Sequence, residues 1–240
     1  MSRTPATLDI EKARLNPIDT TRPATDQIAA ELRAAILSMR LAPGQMLSEN
    51  EVGQVFASSR TPVREAFAKL REDGLIETRP SRGTFVSMLS ESQAKGAQFL
   101  RESLETGIAM RLCQDGLPDA SRAALAENLS LQRAANDADD KVAFQHLDDQ
   151  FHMLLADATG YDRLSAVLTR EKISLDRLRV LSLDYTSRMS QLLAEHEGIF
   201  AAIQAQDAAQ AVALTQHHVR SVLDVLSRLV ADHQEYFKPQ

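Results

Sequence analysis

The sequence has a single cysteine, no tryptophan and only nine glycines among its 240 residues. One thiol, Cys113, excludes an internal disulfide and fits a reducing cytoplasm. No apolar run is long enough to span a bilayer, so no membrane partner is expected. The opening residues Met1-Ser2-Arg3-Thr4-Pro5 lack the apolar core of a signal peptide. Internal repeats and low-complexity tracts are missing as well. Scarce glycine beside abundant Ala and Leu points to a mainly α protein, and the length leaves room for two modest domains.

Positive charge is also in deficit, with a formal net charge of −6. The deficit is not uniform. Residues 20–90 hold nine Lys/Arg and eight Asp/Glu, whereas residues 91–240 hold fifteen and twenty-two. The acidity therefore belongs to the C-terminal part. In the near-neutral N-terminal part, Arg60, Arg64, Arg79 and Arg82 fall close together, and local sign matters more than net charge for contact with phosphates.

The stretch Ser59-Arg60-Thr61-Pro62-Val63-Arg64-Glu65-Ala66-Phe67-Ala68-Lys69-Leu70 reads as a short amphipathic helix. Val63, Phe67 and Leu70 recur at i, i+4 and i+7 and share an inward face. Ser59 stands at the N-cap position, and Pro62 falls in the first turn, where its missing N–H costs nothing. Arg60, Thr61 and Arg64 are left at the leading end, where a recognition helix meets base edges and phosphates. A helix capped by Ser48 precedes it and the segment between makes a tight turn. A helix over residues 25–39, with Ile28, Leu32, Ala35 and Ile36 inward, comes before both. Downstream, residues 75–78 and 84–87 read as two strands joined by the basic turn Arg79-Pro80-Ser81-Arg82-Gly83. Three helices followed by a hairpin with a basic tip make a winged helix-turn-helix. Four motifs in order, Leu41-Ala42-Pro43-Gly44-Gln45-Met46-Leu47-Ser48-Glu49, Ser59-Arg60-Thr61-Pro62-Val63-Arg64-Glu65-Ala66, Asp73-Gly74-Leu75-Ile76 and Gly83-Thr84-Phe85-Val86, resemble the DNA-binding domain of GntR-type bacterial transcription regulators. In such an interface Arg60 and Arg64 would meet bases and phosphates. Asn50, Ser59 and Thr61 would contact phosphates or neighbouring edges, and Arg33 and Arg40 the backbone. Arg82 and Gly83 would bring the wing to the minor groove.

The division expected is a flexible arm over residues 1–22, with a possible amphipathic piece at residues 8–15, a winged helix-turn-helix domain over 23–88, and an antiparallel all-helical bundle over 89–236. Six helices are expected in the bundle, at about 91–114, 119–135, 139–159, 162–183, 187–205 and 207–235. In the first of these, Phe99, Leu104, Ile108 and Leu112 are expected to face inward.

Within the bundle the imidazoles are unevenly placed. Asp148 and His152 are i, i+4 on one helix face. His196 and His218 each lie eleven residues from the turn near Asp207, so in an antiparallel hairpin they come level. An Asp with three His suits Zn, Ni, Mn, Fe or Co, zinc foremost, and leaves coordination positions for water or an acid. The stretches Leu147-Asp148-Asp149-Gln150-Phe151-His152, Glu195-His196-Glu197-Gly198-Ile199 and His217-His218-Val219 resemble the FCD effector domain of FadR-like GntR regulators, in its six-helix VanR-type variant. That resemblance implies Asp148, His152, His196 and His218 as ligands of a divalent metal, with Asp149 and His217 displaced in helix phase. It also implies that Arg101 reaches into the pocket toward a small carboxylate effector. Read from the residues alone, Arg101 could instead be a surface partner of Glu105 at i+4.

The function implied is a homodimeric, effector-responsive regulator, a repressor in its simplest form, that binds a palindromic double-stranded operator in the cytoplasm. Two rivals remain at this stage: a metal-dependent enzyme acting on small carboxylates, and a regulator whose metal is structural only. No spacing of the H-E-x-x-H kind supports the first.

Overall fold

The computed structural model describes Ala13 and residues 15–19, 21–185 and 187–238. The chain divides into two compact units, one of residues 1–91 with 230–240, the other of residues 92–229.

The N-terminal unit runs α1 (Ala24–Leu37), β1 (Met46–Leu47), α2 (Glu49–Val55), α3 (Arg60–Glu72), β2 (Ile76–Arg79) and β3 (Gly83–Val86). Its three strands are antiparallel in the order β1-β3-β2. Ile28, Leu32 and Ile36 of α1, Val52 of α2, and Val63, Phe67 and Leu70 of α3 are fully buried. Periodicities of 3.6 thus close three helices on one core, and each helix keeps a polar outer face. Ser48 caps α2 through Glu51 N–H. Ser59 occupies the N-cap position of α3 without a capping hydrogen bond. Thr25 lies inside the first turn of α1 and gives its hydroxyl to Glu65 of α3 instead of capping.

Most of the arm expected over residues 1–22, and most of the amphipathic piece at 8–15, lies outside the described residues. What is described of the arm is tied down. The Asn16 backbone N–H donates to Glu31 at 3.1 Å, and that of Asp19 to Gln27 Oε1 at 2.8 Å. The expected boundary at residue 89 also shifts. Leu89 N–H donates to Tyr236 O at 2.8 Å and Lys238 N–H returns to Leu89 O at 2.9 Å, so the C-terminal segment joins the N-terminal unit. These bonds link residues almost 150 positions apart, which no local pattern announces.

The second unit is an all-α bundle of α4 (Glu91–Asp115), α5 (Asp119–Asp137), α6 (Lys141–Ala158), α7 (Asp162–Ser182), α8 (Arg188–Gln204) and α9 (Ala208–Asp232). A short 3₁₀ turn, Gln234–Tyr236, follows α9. Ile108, Leu112, Leu125, Phe144, Phe151 and Ile203 belong to one continuous core. Asp207 caps the start of α9 through Gln210 N–H. Gly160 ends α6 at φ +73°, a left-handed position that glycine adopts without strain.

One inward assignment is corrected. Phe99 is 67% exposed, and α4 turns Gln98, Arg101 and Glu105 inward along with Ile108 and Leu112. The inner end of α4 is polar because it walls the site described next. A rule that puts apolar residues inside reads this helix in the wrong phase there.

Candidate metal centre and nucleic-acid interface

Asp148, His152, His196 and His218 meet in the bundle interior. Each offers one ligand atom, and these atoms lie within 4.8 Å of one another. All four residues are buried. His196 and His218 come level across the α8–α9 hairpin, while Asp148 and His152 project one turn apart from α6.

The outer nitrogens fix the proton positions. His152 Nδ1 lies 2.7 Å from Glu105 Oε2, and His218 Nδ1 lies 2.8 Å from Glu195 Oε2. His196 Nδ1 lies 2.8 Å from Gln132 Oε1. Gln132 donates its own amide to Asn128 Oδ1 at 2.7 Å, which leaves Oε1 as the face turned to His196. Carboxylates and amide oxygens only accept, so His196 and His218 donate from Nδ1 and turn Nε2 inward, while His152 Nδ1 lies beside Glu105 without a well-formed hydrogen bond. The three Nε2 atoms converge: His218 Nε2 is 3.2 Å from both His196 Nε2 and His152 Nε2. With no proton to share between His196 and His218 their contact is repulsive, and both distances are short. They match the spacing of about 3.3 Å expected for two nitrogens each about 2.0 Å from one tetrahedral ion.

Asp148 completes the set. Its Oδ1 stands 3.6 Å from His196 Nε2 and its Oδ2 4.0 Å from His152 Nε2. Arg179 presses against Oδ2, yet neither carboxylate oxygen receives a well-formed hydrogen bond. Three inward imidazole nitrogens and a buried carboxylate fit a divalent cation in number and charge.

Electrostatics agree. Burial, followed by the neighbouring imidazoles, holds His196 and His218 well below the ordinary histidine value, in the neutral form that a metal needs. Burial alone would raise Glu105, but Arg101 and His152 outweigh it and keep the carboxyl far below its usual range. Phe151 stacks on His196 at 4.3 Å between ring centroids.

A cavity opens beside the cluster, lined by Arg101, Asp148, Arg179, Arg188, His218 and Ser221 among others. Arg101 is buried, lines this cavity and bonds Glu105 Oε1 at 2.6 Å, so it pairs with Glu105 away from the surface. Arg179 bonds Asp149 Oδ1 at 2.7 Å, and burial followed by repulsion from Arg101 pulls its guanidinium down to about 9. Burial and Asp149 push Asp176 up to about 7. Asp149 itself pairs with Arg179 and Lys172 and stays out of the cluster. His217 points outward with a side chain 64% exposed.

Sequence reasoning missed Arg188, Glu105 as the anchor of His152, and Gln132. A signal existed for Arg188. It lies eight residues before His196 with Leu192 between, on the same inward stripe of α8. Gln132 carries no such signal.

In the N-terminal unit, Asn50, Ser59, Arg60, Thr61 and Arg64 are exposed, the first three of them lining one concave face, and Arg82 and Gly83 are exposed at the wing tip. Arg60 and Arg82 carry no ion pair among the described residues, so both guanidinia are free for phosphate. Arg64 bonds Glu49 Oε2 at 2.8 Å on the surface, a pair that salt and phosphate compete with easily. Arg33 is drawn to Asp73, and Arg79 lies over Phe85 while paired with Glu77. Gly83 takes φ +109° at the wing tip, where a side chain would be strained.

Two family models match this chain: bacterial regulatory proteins of the gntR family over residues 24–86, and the FCD domain over residues 98–221. The HTH-type transcriptional repressor RspR of Escherichia coli (strain K12) is 33% identical over 229 residues, spanning 95% of this chain and 99% of that protein. The galactonate operon transcriptional repressor of the same organism is 28% identical over 215 residues, 80% of this chain and 92% of that protein. A crystallographically solved GntR transcriptional regulator from Rhodococcus sp. RHA1 superposes with a TM-score of 0.72 at 24% identity, covering 85% of this chain and 97% of that one. No helix among the described residues is long and apolar enough to cross a membrane.

Proposed function

The chain belongs to the GntR family of bacterial transcription regulators with a C-terminal FCD domain, and from that premise we propose that it is a repressor whose hold on DNA is set by a small organic acid bound beside a divalent metal ion. The family also removes the enzyme alternative: this is a DNA-binding regulator. It acts in the cytoplasm as a homodimer that places two α3 helices in successive major grooves of a palindromic operator.

The observation that carries the reading is the inward convergence of three imidazole Nε2 atoms and Asp148 at the wall of an arginine-lined cavity. A bound Zn²⁺, or another ion of the same preference, supplies a positive centre for an acid's oxygen. The protein does the rest. Glu105, Gln132 and Glu195 hold the ring tautomers, the core around Phe144 and Phe151 excludes water, and Arg101 offers a guanidinium to the acid. On the DNA side, Arg60 and Arg64 meet bases and phosphates, with Asn50, Ser59 and Thr61 beside them. Arg82 and Gly83 approach the minor groove, and Arg33 supports the backbone contact when it leaves Asp73. The acid favours a dimer geometry whose recognition helices no longer match the half-site spacing. It must therefore bind the two states unequally.

The test is fluorescence anisotropy with an operator selected in vitro. The zinc-loaded protein should bind it and lose at least about tenfold in affinity, about 1.4 kcal/mol, when the right acid is added. Failure to select any operator, or affinity indifferent to metal and to every small acid, would overturn the reading.

A further inference from the structure

The C-terminal segment is tied to the root of the wing. Strand β3 leads from Gly83 at the wing tip to Val86, and the chain that leaves it is held at Val86, Ser87 and Leu89. Val86 O accepts from Gly44 N–H at 2.9 Å, and Ser87 N–H donates to Leu75 O at 2.9 Å. Leu89 commits both of its backbone groups to the C-terminal segment. Its N–H donates to Tyr236 O and its carbonyl accepts from Lys238 N–H, which makes a parallel bridge with Phe237. Leu89 and Phe237 are both buried. Both sides of this bridge lie outside residues 24–86 and 98–221, the stretches shared with the two families.

Little slack separates the bridge from α9. The helix ends at Asp232, and His233 leaves it at φ −131° and ψ 42°. Tyr236 N–H returns to His233 O at 2.9 Å and Phe237 N–H to Gln234 O at 3.2 Å. The ring of His233 stacks on Tyr236 at 5.5 Å between centroids, with planes 5° apart. Phe237 then takes extended backbone at φ −98° and ψ 148°. The helix itself is stiff, since residues 208–238 contain neither glycine nor proline, the usual sites of a kink. His218 stands fourteen residues before Asp232, about 21 Å along the axis. The same helix starts in the bundle, and its residues from Val230 onward belong with the N-terminal unit. A displacement of α9 at His218 is therefore carried to Leu89, with no hinge between to absorb it.

We propose that residues 233–238 form a strap through which the state of the metal centre reaches the wing. An ion held by Asp148, His152, His196 and His218 joins α9 to α6 and α8 and removes part of its freedom. The strap passes that restraint to Leu89. Strand β3 passes it on to Gly83 and Arg82, the exposed residues of the wing tip. The inference rests on the metal-dependent reading above and adds to it the route from the bundle to the DNA-binding unit.

The experiment is hydrogen–deuterium exchange of the full chain, read by mass spectrometry, with zinc alone as the probe and zinc binding titrated in parallel. In the natural protein zinc should slow exchange in peptides spanning residues 83–90 by about fivefold or more. Phe237→Ala/Lys238→Pro detaches the strap by removing a buried ring and one bridge bond. This variant should still bind zinc, weakened by no more than about the same factor because coupling is reciprocal, and the zinc effect on residues 83–90 should vanish. Lys238→Pro alone removes one N–H from an exposed residue, and the extended Phe237 before it accommodates a proline. It should speed exchange at Leu89, resolved by overlapping peptides, by about fivefold, the worth of one hydrogen bond. Lys238→Ala keeps the N–H and should leave that exchange unchanged. Zinc that binds the natural protein without altering residues 83–90 would overturn the proposal, as would a full zinc effect in the double variant or a double variant that takes up no zinc. Equal exchange at Leu89 in Lys238→Pro and Lys238→Ala would overturn it too. A natural protein that binds no zinc is a separate failure, seen in the titration itself; the metal reading then falls, and the strap's role falls with it.

Discussion

Replacing Glu105 with glutamine separates two effects that one carboxylate now combines. Glu105 is 6% exposed; one oxygen accepts from Arg101 Nε at 2.6 Å and the other lies 2.7 Å from His152 Nδ1. A glutamine amide has one accepting oxygen and no charge. If it keeps His152 in place, Arg101 is left buried and unpaired, at a cost of about 3–5 kcal/mol in stability. If it turns to Arg101, the tautomer and aim of His152 are released. Either way the ligand loses the negative partner that raises its basicity, and metal affinity should fall about 10- to 100-fold, or about 1.4–2.8 kcal/mol. Competition with a chromogenic zinc chelator measures the second effect, and thermal melting of the metal-free protein measures the first. The double variant Glu105→Gln/Arg101→Met should recover much of the stability without recovering zinc affinity, since it removes the stranded charge and leaves His152 unsupported. Unchanged zinc affinity in Glu105→Gln would refute the claim that Glu105 orients a metal ligand.

Arg64→Ala should weaken operator binding by about tenfold or more with circular dichroism unchanged, in line with about 1–3 kcal/mol for a base-reading arginine; undiminished affinity would remove α3 as the recognition helix. Gly53→Ala would place a methyl 3.0 Å from the Ser58 backbone oxygen in the turn between α2 and α3, so urea denaturation should show a loss of about 1–3 kcal/mol, and an unmoved midpoint would contradict that packing. Acid should destabilise the metal-free protein through His196 and His218. Their folded values lie below the unfolded value of about 6.5, so the unfolded chain binds more protons as pH falls below that point. Their contribution is complete above about pH 6.5 and is lost progressively toward their lower folded values. Melting temperatures that stay flat from pH 7 to pH 5 would argue against buried neutral imidazoles.

What was legible in the sequence followed from local periodicity. Val63, Phe67 and Leu70 announced the inner face of α3 because an amphipathic helix must bury its apolar stripe. The Asp148, His152, His196 and His218 cluster was legible for a geometric reason: spacing of i, i+4 and equal distance from one hairpin turn bring side chains together without knowledge of the rest. What escaped were contacts made by polar groups in apolar places. Phe99 was assigned inward because it is apolar, but α4 gives its inner face to Gln98, Arg101 and Glu105. Gln132 sits on the buried stripe of α5 with Leu125, Leu129 and Ala135, where a polar residue looks like an interruption of the core and not part of a site, and Arg188 is separated from His196 by two helical turns. The return of residues 230–238 to Leu89 depends on backbone pairing across most of the chain, for which side-chain pattern offers no clue.

If the buried Asp and three His hold a metal on which the response to an acid depends, the purified protein should contain it. Elemental analysis of the purified protein, beside the His152→Ala/His218→Ala variant, tests it directly. About one divalent ion per chain is expected in the natural protein, most readily zinc, and none in the variant. A natural protein that takes up no ion after exposure to zinc or nickel, or a variant that keeps its ion, would contradict it.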